Sequence, residues 1–271
     1  MNEIIISPKK SWKALLSELW EYREVFLFLG WRDILVQYKQ TVIGILWIVV
    51  RPLLTVAIFT IIFSKIAGIS SKNVPYALLV FSGMLVWQFF ADTLVHASHS
   101  FLTNAQLISK TYFPRVMLPA SRLLCSVVDL AIAFVFYLAI SMGYYRVFPS
   151  IYFLLLPIFV LWLAIISLSL SLIFAPLIVR YRDFRHIIPF FIQLGVYCTP
   201  VGFSLSIVPG FLKILVALNP LSGVINGFRF CLFNEPLYVG PLIVSLIVTV
   251  FLSITSVIYF KRSEEFFADL I

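Results

Sequence analysis

Residues 150–187 read SIYFLLLPIFVLWLAIISLSLSLIFAPLIVRYRDFRHI. The first twenty-nine of them, to Ile178, hold no Lys, Arg, Asp or Glu, and then Arg180, Arg182, Asp183 and Arg185 crowd into six positions. A bilayer core about 30 Å thick is crossed by about 20 mostly apolar residues in a helix. The run is therefore read as a membrane-spanning helix, and the charged cluster as the point where the chain leaves the apolar phase. Five further apolar segments meet the same test, at about 42–64, 76–98, 116–142, 188–207 and 238–260.

Composition agrees with that reading. The chain is 62% hydrophobic and 17% aromatic, with a mean hydropathy of +1.04, against roughly 45–50% apolar residues in soluble domains. A formal charge of +8 could mark a nucleic-acid binder, but that needs a basic patch on a soluble fold, and here the charges sit singly or in short connections. Nucleic acid is not expected as a partner. The first residues, MNEIIISPKK, lack the order of a cleavable signal peptide, so the first span is expected to serve as the targeting signal and the N-terminus to be retained.

The basic residues set the expected orientation. Connections 99–115 and 179–187 and the two tails carry Lys9, Lys10, Lys13, Arg23, Arg32, Lys39, Lys110, Arg115, Arg180, Arg182, Arg185, Lys261 and Arg262. The other connections carry Lys65, Lys72, Arg146, Lys213 and Arg229. The positive-inside rule then puts both termini and the RYRDFRH stretch in the cytoplasm.

Before the first span, Trp12, Leu15, Leu16, Leu19 and Trp20 recur at helical spacing, and Trp31, Ile34, Leu35 and Tyr38 repeat the pattern opposite Arg32, Asp33, Gln37 and Lys39. This is read as amphipathic helix lying in the membrane interface, with a soluble helical cap as the competing reading. Residues 1–40 are accordingly taken as a cytoplasmic N-terminal segment and 41–271 as the membrane domain. Between 208 and 237, two apolar pieces too short to span are punctuated by Pro209, Gly210, Pro220, Gly223 and Pro236. A pair of helices that dips into the outer leaflet and returns fits them, since irregular backbone at membrane depth must be satisfied by protein or water. An ordinary external hairpin is the alternative. Gly223 and Gly227 form a GxxxG, by itself a weak signal of close helix contact.

Little catalytic chemistry is present. Glycine is nowhere followed by lysine, so the chain has no GxxxxGK[ST] phosphate loop. His96, His99 and His186 show no HExxH spacing, and Cys125, Cys198 and Cys231 are far apart and read as inert buried thiols; no metal is expected. Four ionisable residues lie inside spans: Arg51, Asp92, Arg122 and Asp129. Such residues are costly and functional by default, but scattered singly they fit interhelical pairing better than a proton relay. Arg122 and Asp129 share one helix face two turns apart, and Arg51 precedes Pro52, which leaves a backbone carbonyl one turn earlier without its donor. Large rings also occur within spans, at Trp47, Trp87, Phe89, Phe90, Tyr197 and Phe203. They could stack on sugar faces, although packing and interfacial belts explain most membrane aromatics.

The stretches YKQTVIGILWIVVRPLL (38–54), LISKTYFPRVMLPAS (107–121), VRYRDFRHIIPFFIQLGVYCTPVGF (179–203) and LNPLSGVINGFR (218–229) together resemble the transmembrane subunits of ABC-2-type exporters of lipid-linked polysaccharides. The departure is Arg51, where a neutral polar residue before the proline is the expected pattern. The resemblance implies an all-α fold with an interfacial N-terminal helix, six spans and a re-entrant pair before the last. It also implies a homodimer of this chain in the bacterial inner membrane, joined by two copies of a cytoplasmic ATPase that holds ATP and Mg, with no cofactor and no catalytic site in this chain. Arg180, Tyr181, Arg182, Asp183, Phe184 and Arg185 would form a short coupling helix seated on the ATPase, and the six rings would border the path of the glycan. Pro209, Pro220, Gly223 and Gly227 would build an outer gate. The substrate implied is polyprenyl-linked polysaccharide of O-antigen type; the alternatives are another ABC-2 cargo, such as capsule, teichoic acid, a drug or a small lipid, or a secondary transporter.

Overall fold

The computed structural model describes residues 20–39, 44–66, 68, 74–181 and 183–264. These form an all-helical bundle of α1 (Arg23–Lys39), α2 (Gly44–Phe59), α3 (Tyr76–Ser98), α4 (Ser100–Thr103), α5 (Ala105–Lys110), α6 (Met117–Gly143), α7 (Leu156–Arg180), α8 (Phe184–Cys198), α9 (Gly210–Ala217), α10 (Leu221–Phe233) and α11 (Val239–Glu264). Helix α2 widens into π-helical turns over Thr60–Ile66, and a 3-10 turn over Ile151–Leu155 leads into α7.

Among the described residues, five helical stretches are long and apolar enough to cross a membrane: Leu46–Ile66, Tyr76–Ser98, Met117–Gly143, Ile151–Arg180 and Val239–Glu264. They match the expected spans within a few residues. The expected span at 188–207 is different. Its helix begins earlier, at Phe184, and stops at Cys198, where Thr199 turns extended (φ −103°, ψ 144°) ahead of Pro200, as a residue before proline tends to do. Fifteen residues reach about 22 Å, short of the apolar core. The apolar pieces at 208–237 form α9 and α10, bent 109° to one another, the geometry of a re-entrant pair or a broken span.

Helix α3 is the axis of the bundle. Eighteen of its residues are buried, and it packs on α2, α6, α7, α8 and α10. The outer helices instead expose large apolar side chains such as Leu54, Val135, Leu161 and Ile247, as expected where the surrounding phase is as apolar as the side chain. Helix contacts then lean on small and hydroxyl side chains. Between α7 and α11, Trp162 Nε1 donates to Thr249 Oγ1 at 2.8 Å and the Ser169 and Ser253 hydroxyls meet at 3.0 Å.

The more basic and the poorly basic connections lie at opposite ends of the bundle. Connection 99–115, the end of α7, α1 and the end of α11 converge on one apolar cluster that includes Leu29, Phe101, Phe113, Leu172 and Phe260, and Arg115 Nη1 donates to the Glu264 carbonyl at 2.7 Å. At the opposite end the poorly basic connections meet, with Tyr76 OH donating to the Gly202 carbonyl at 2.6 Å and Tyr152 stacked on Phe230.

Helix α1 divides into the two faces that its pattern predicts. Trp31 and Leu35 face outward, while the polar stripe turns into the bundle and packs on α6. The reason is on α6. Arg122 Nε lies 3.1 Å from Asp33 Oδ2, and Asp129 accepts hydrogen bonds from Gln37 Nε2 and from Tyr38 OH. Arg32 Nη2 reaches Asp33 and Asn104, each at 2.8 Å. Burial, reinforced by the bond to Asp129, pushes the Tyr38 phenol up, so it stays a proton donor to that carboxylate. Two costly groups on α6 are thus met by one helix face, and α1 keeps its apolar face for lipid. Trp12, Leu15, Leu16 and Leu19 lie outside the described residues; Trp20 is exposed.

Candidate translocation site

Two cavities adjoin inside the bundle. The smaller, about 230 Å³, lies among α1, α2, α3 and α6 and is bordered by Gln37, Trp47, Phe89, His96 and Asp129. The larger, about 410 Å³, opens between α2, α3 and α8 and is bordered by Thr55, Trp87, Pro189, Gln193 and Tyr197. Arg51, Gln88 and Asp92 border both. The dividing wall is an ion pair, Arg51 Nη1 to Asp92 Oδ1 at 3.7 Å, with the arginine side chain 68% exposed.

Of the six expected path aromatics, Trp47, Phe89, Trp87 and Tyr197 therefore border a cavity. Trp47 and Tyr197 are well exposed, while Phe90 is buried behind the wall against Trp87, ring centroids 5.5 Å apart. Phe203 stands away from both cavities, and its carbonyl accepts from Arg229. The lining combines flat rings with amides and one ion pair. Rings suit the apolar faces of a sugar, and amides and charges suit its hydroxyl and phosphate groups.

Residues 24–233 match the family model for the ABC-2 type transporter. The chain belongs to the ABC-2 type transporter family. It is similar to two proteins from Klebsiella pneumoniae named O-antigen export system permease protein RfbA, at 30% and 27% identity, each over 89% of this chain and 92% of the relative. A protein of the same name from Myxococcus xanthus is 25% identical over 93% of this chain and 97% of its own length.

In this ABC-2 chain the charged cluster is a junction rather than the separate short helix expected. Arg180 ends α7, Tyr181 is extended (φ −129°, ψ 109°), and Phe184 already opens α8 after the N-cap residue Asp183. Helices α7 and α8 run almost up to the break on either side. The guanidinium of Arg180 covers the Tyr181 ring at 5.3 Å, and Phe184 packs on Phe174 and Tyr181. Arg180, Asp183 and Arg185 are exposed; Arg182 lies outside the described residues.

At the other end, Gly223 and Gly227 are buried within the chain's own packing. A Cβ at Gly223 would stand 2.7 Å from Ser245 Cβ and 2.8 Å from Trp162 Cη2. A Cβ at Gly227 would overlap the Phe159 ring outright. Pro209 is exposed and precedes α9, and Pro220 precedes α10 at the bend. Asn219 helps hold the bend, donating through Nδ2 to Thr199 Oγ1 at 2.7 Å and accepting from Leu221 N at 3.1 Å.

The residue that the pattern reading missed is Arg229. Expected in an external connection, it is 2% exposed on α10, where Nη1 donates to the Phe203 carbonyl at 2.8 Å and Nη2 to the carbonyls of Val201 at 2.9 Å and Leu79 at 3.2 Å. One guanidinium thus ties α10, α3 and the segment after α8 together. Its signal was an arginine between Phe228 and Phe230 in an otherwise apolar helix. The thiols also differ from expectation: Cys125 and Cys231 are buried, but Cys198 is exposed, because α8 lies on the outside of the bundle with Ile188 its one buried residue.

Proposed function

We propose that this chain is the permease subunit of an ATP-driven exporter that moves polyprenyl-linked polysaccharide of O-antigen type across the bacterial inner membrane. Two copies line the path, both termini are cytoplasmic, and two copies of a separate ATPase supply ATP hydrolysis with Mg. The observation that carries the reading is the likeness to three O-antigen export permeases over 89–93% of the chain. The ring-and-amide lining of the cavities supports a glycan cargo. The lack of a phosphate-cradling loop supports an ATPase on another subunit.

The junction between α7 and α8 offers a mechanical route. Arg180, Tyr181, Arg182, Asp183, Phe184 and Arg185 form the surface on which the ATPase acts, the arginines making charge-assisted contacts and Asp183 orienting a partner group. Helix α8 runs from that surface to Pro189, Gln193 and Tyr197 in the wall of the larger cavity. Pro189 also leaves the Arg185 carbonyl without its helical donor, a weak point at which α8 can bend. A push on the junction would therefore reshape the cavity wall. Movement of α10 against its neighbours would open the outer end.

In a strain lacking this chain, surface polysaccharide should disappear and lipid-linked polymer should accumulate inside. The wild-type gene should restore export. Asp183→Arg with Arg185→Asp, which preserves net charge, should restore insertion but not export. Normal surface polymer in the deletion strain would overturn the function. Export by the swapped variant would reduce the junction to a topological anchor.

A further inference from the structure

We propose that Arg51 is the anion-binding residue for the diphosphate of a polyprenyl carrier held within the membrane, with Asp92 as its displaceable counter-ion. For the identity of the carrier this rests on the exporter reading above; the anion site itself rests on geometry.

Arg51 lies five residues inside the Leu46–Ile66 span, roughly 7 Å from its end at 1.5 Å per residue. That is the end of the span nearest the basic connections. Its side chain is 68% exposed and stands on the wall shared by the two cavities. An intramembrane cation is normally held tightly by a carboxylate or by carbonyls, as Arg229 is in this chain. Arg51 is held loosely. Its 3.7 Å approach to Asp92 is outside the 2.7–2.9 Å of charge-assisted hydrogen bonds, so the pair is an electrostatic contact whose donors remain available.

The surroundings suit a phosphate better than a second carboxylate. Asp129, the other acid bordering the smaller cavity, already accepts from Gln37 and Tyr38. Gln88 borders both cavities, Gln193 the larger and His96 the smaller, and each can donate a hydrogen bond. A guanidinium presents parallel N–H groups that match two phosphate oxygens at once. Leu54, Ile58, Ile61 and Ile62 follow Arg51 on α2 and are exposed, so a polyprenyl tail can lie along the same helix while the diphosphate reaches the wall. Binding would exchange the long contact to Asp92 for short bonds to the diphosphate, and release would let Asp92 recapture the arginine.

The test is direct binding to the purified full chain in phosphatidylcholine nanodiscs, read by native mass spectrometry. The probes are a polyprenyl diphosphate, the corresponding polyprenol and phosphatidylglycerol. The wild type should bind the diphosphate in preference to both other lipids. Arg51→Gln should weaken diphosphate binding by about tenfold or more, the loss expected for a charge-assisted bidentate contact, with polyprenol binding unchanged. Arg51→Lys should retain part of the affinity. Asp92→Asn should bind the diphosphate more tightly, since the competing carboxylate is gone, whereas a merely structural ion pair predicts weaker binding or none. An unchanged Arg51→Gln, a weakened Asp92→Asn, or equal capture of phosphatidylglycerol overturns the proposal. The readout needs no export: loss of Arg51-dependent binding with intact export counts against this site alone, and intact binding without export counts against the exporter reading alone.

Discussion

Replacing Arg229 with methionine will destabilise the detergent-solubilised chain by about 1–4 kcal/mol, because two carbonyls outside helical hydrogen bonding, one buried and one partly buried, lose their donor, and a fully buried loss costs about 1–3 kcal/mol. The two are Val201 and Phe203, in the turn after α8; Leu79 retains its place in α3. Methionine matches the arginine stem in length, so lost packing contributes little. The opposite sign is a real physical alternative, since replacing a buried charge with an apolar side chain sometimes stabilises. Here the carbonyls outweigh the charge, for Tyr76 OH has already given its one hydrogen to the Gly202 carbonyl between them. Arg229→Lys should fall between, retaining charge but giving up the planar fork. Melting curves of the three proteins decide it; a methionine variant as stable as the wild type would mean that the turn is held by Tyr76 and its neighbours instead.

The second large effect is at Gly227. A single Gly227→Ala should cost about 1–3 kcal/mol through overpacking, because the new methyl would sit on the Phe159 ring. Gly223→Leu with Gly227→Leu should strip folded chain from the membrane, since α10 would have to leave both α7 and α11. Gly210→Ala is the control, with open space around the added methyl. Phe159→Leu should return much of what Gly227→Ala loses. A double-leucine protein that is folded, abundant and unable to export would instead favour a gate built at these two glycines.

The apolar runs were legible because membrane spans follow from length and hydropathy alone, and even the small-residue contact at Gly223 and Gly227 was marked by spacing. The face of α1 was not. Amphipathicity says which residues separate, and only the partners on α6 say which face turns inward: Arg122 and Asp129 were noted as costly, and so was the polar stripe at Asp33 and Gln37, yet each answers the other across some ninety residues of sequence. Arg229 was hidden for a similar reason. A lone arginine in a connection reads as solvated until the carbonyls that need it have been folded around it. The short α8 was obscured by an apolar stretch that continues past Thr199 while the backbone does not, a turn signalled only by Pro200. At the candidate site, the aromatic positions could be named from type and depth, but the shared wall of Arg51, Gln88 and Asp92 depends on how α2, α3 and α8 converge.

ATP-driven movement of a lipid-linked glycan through this chain is tested by reconstitution without the rest of the cell. The purified chain and its ATPase are placed in liposomes with lipid-linked polysaccharide, and a glycosidase on the far side reports polymer that has crossed. Cleavage is expected only when both subunits, ATP and Mg are present, and is expected to be lost with Asp183→Arg plus Arg185→Asp at unchanged incorporation. Equal cleavage with this chain alone and no ATP would contradict it, and would make the protein an ATP-independent carrier.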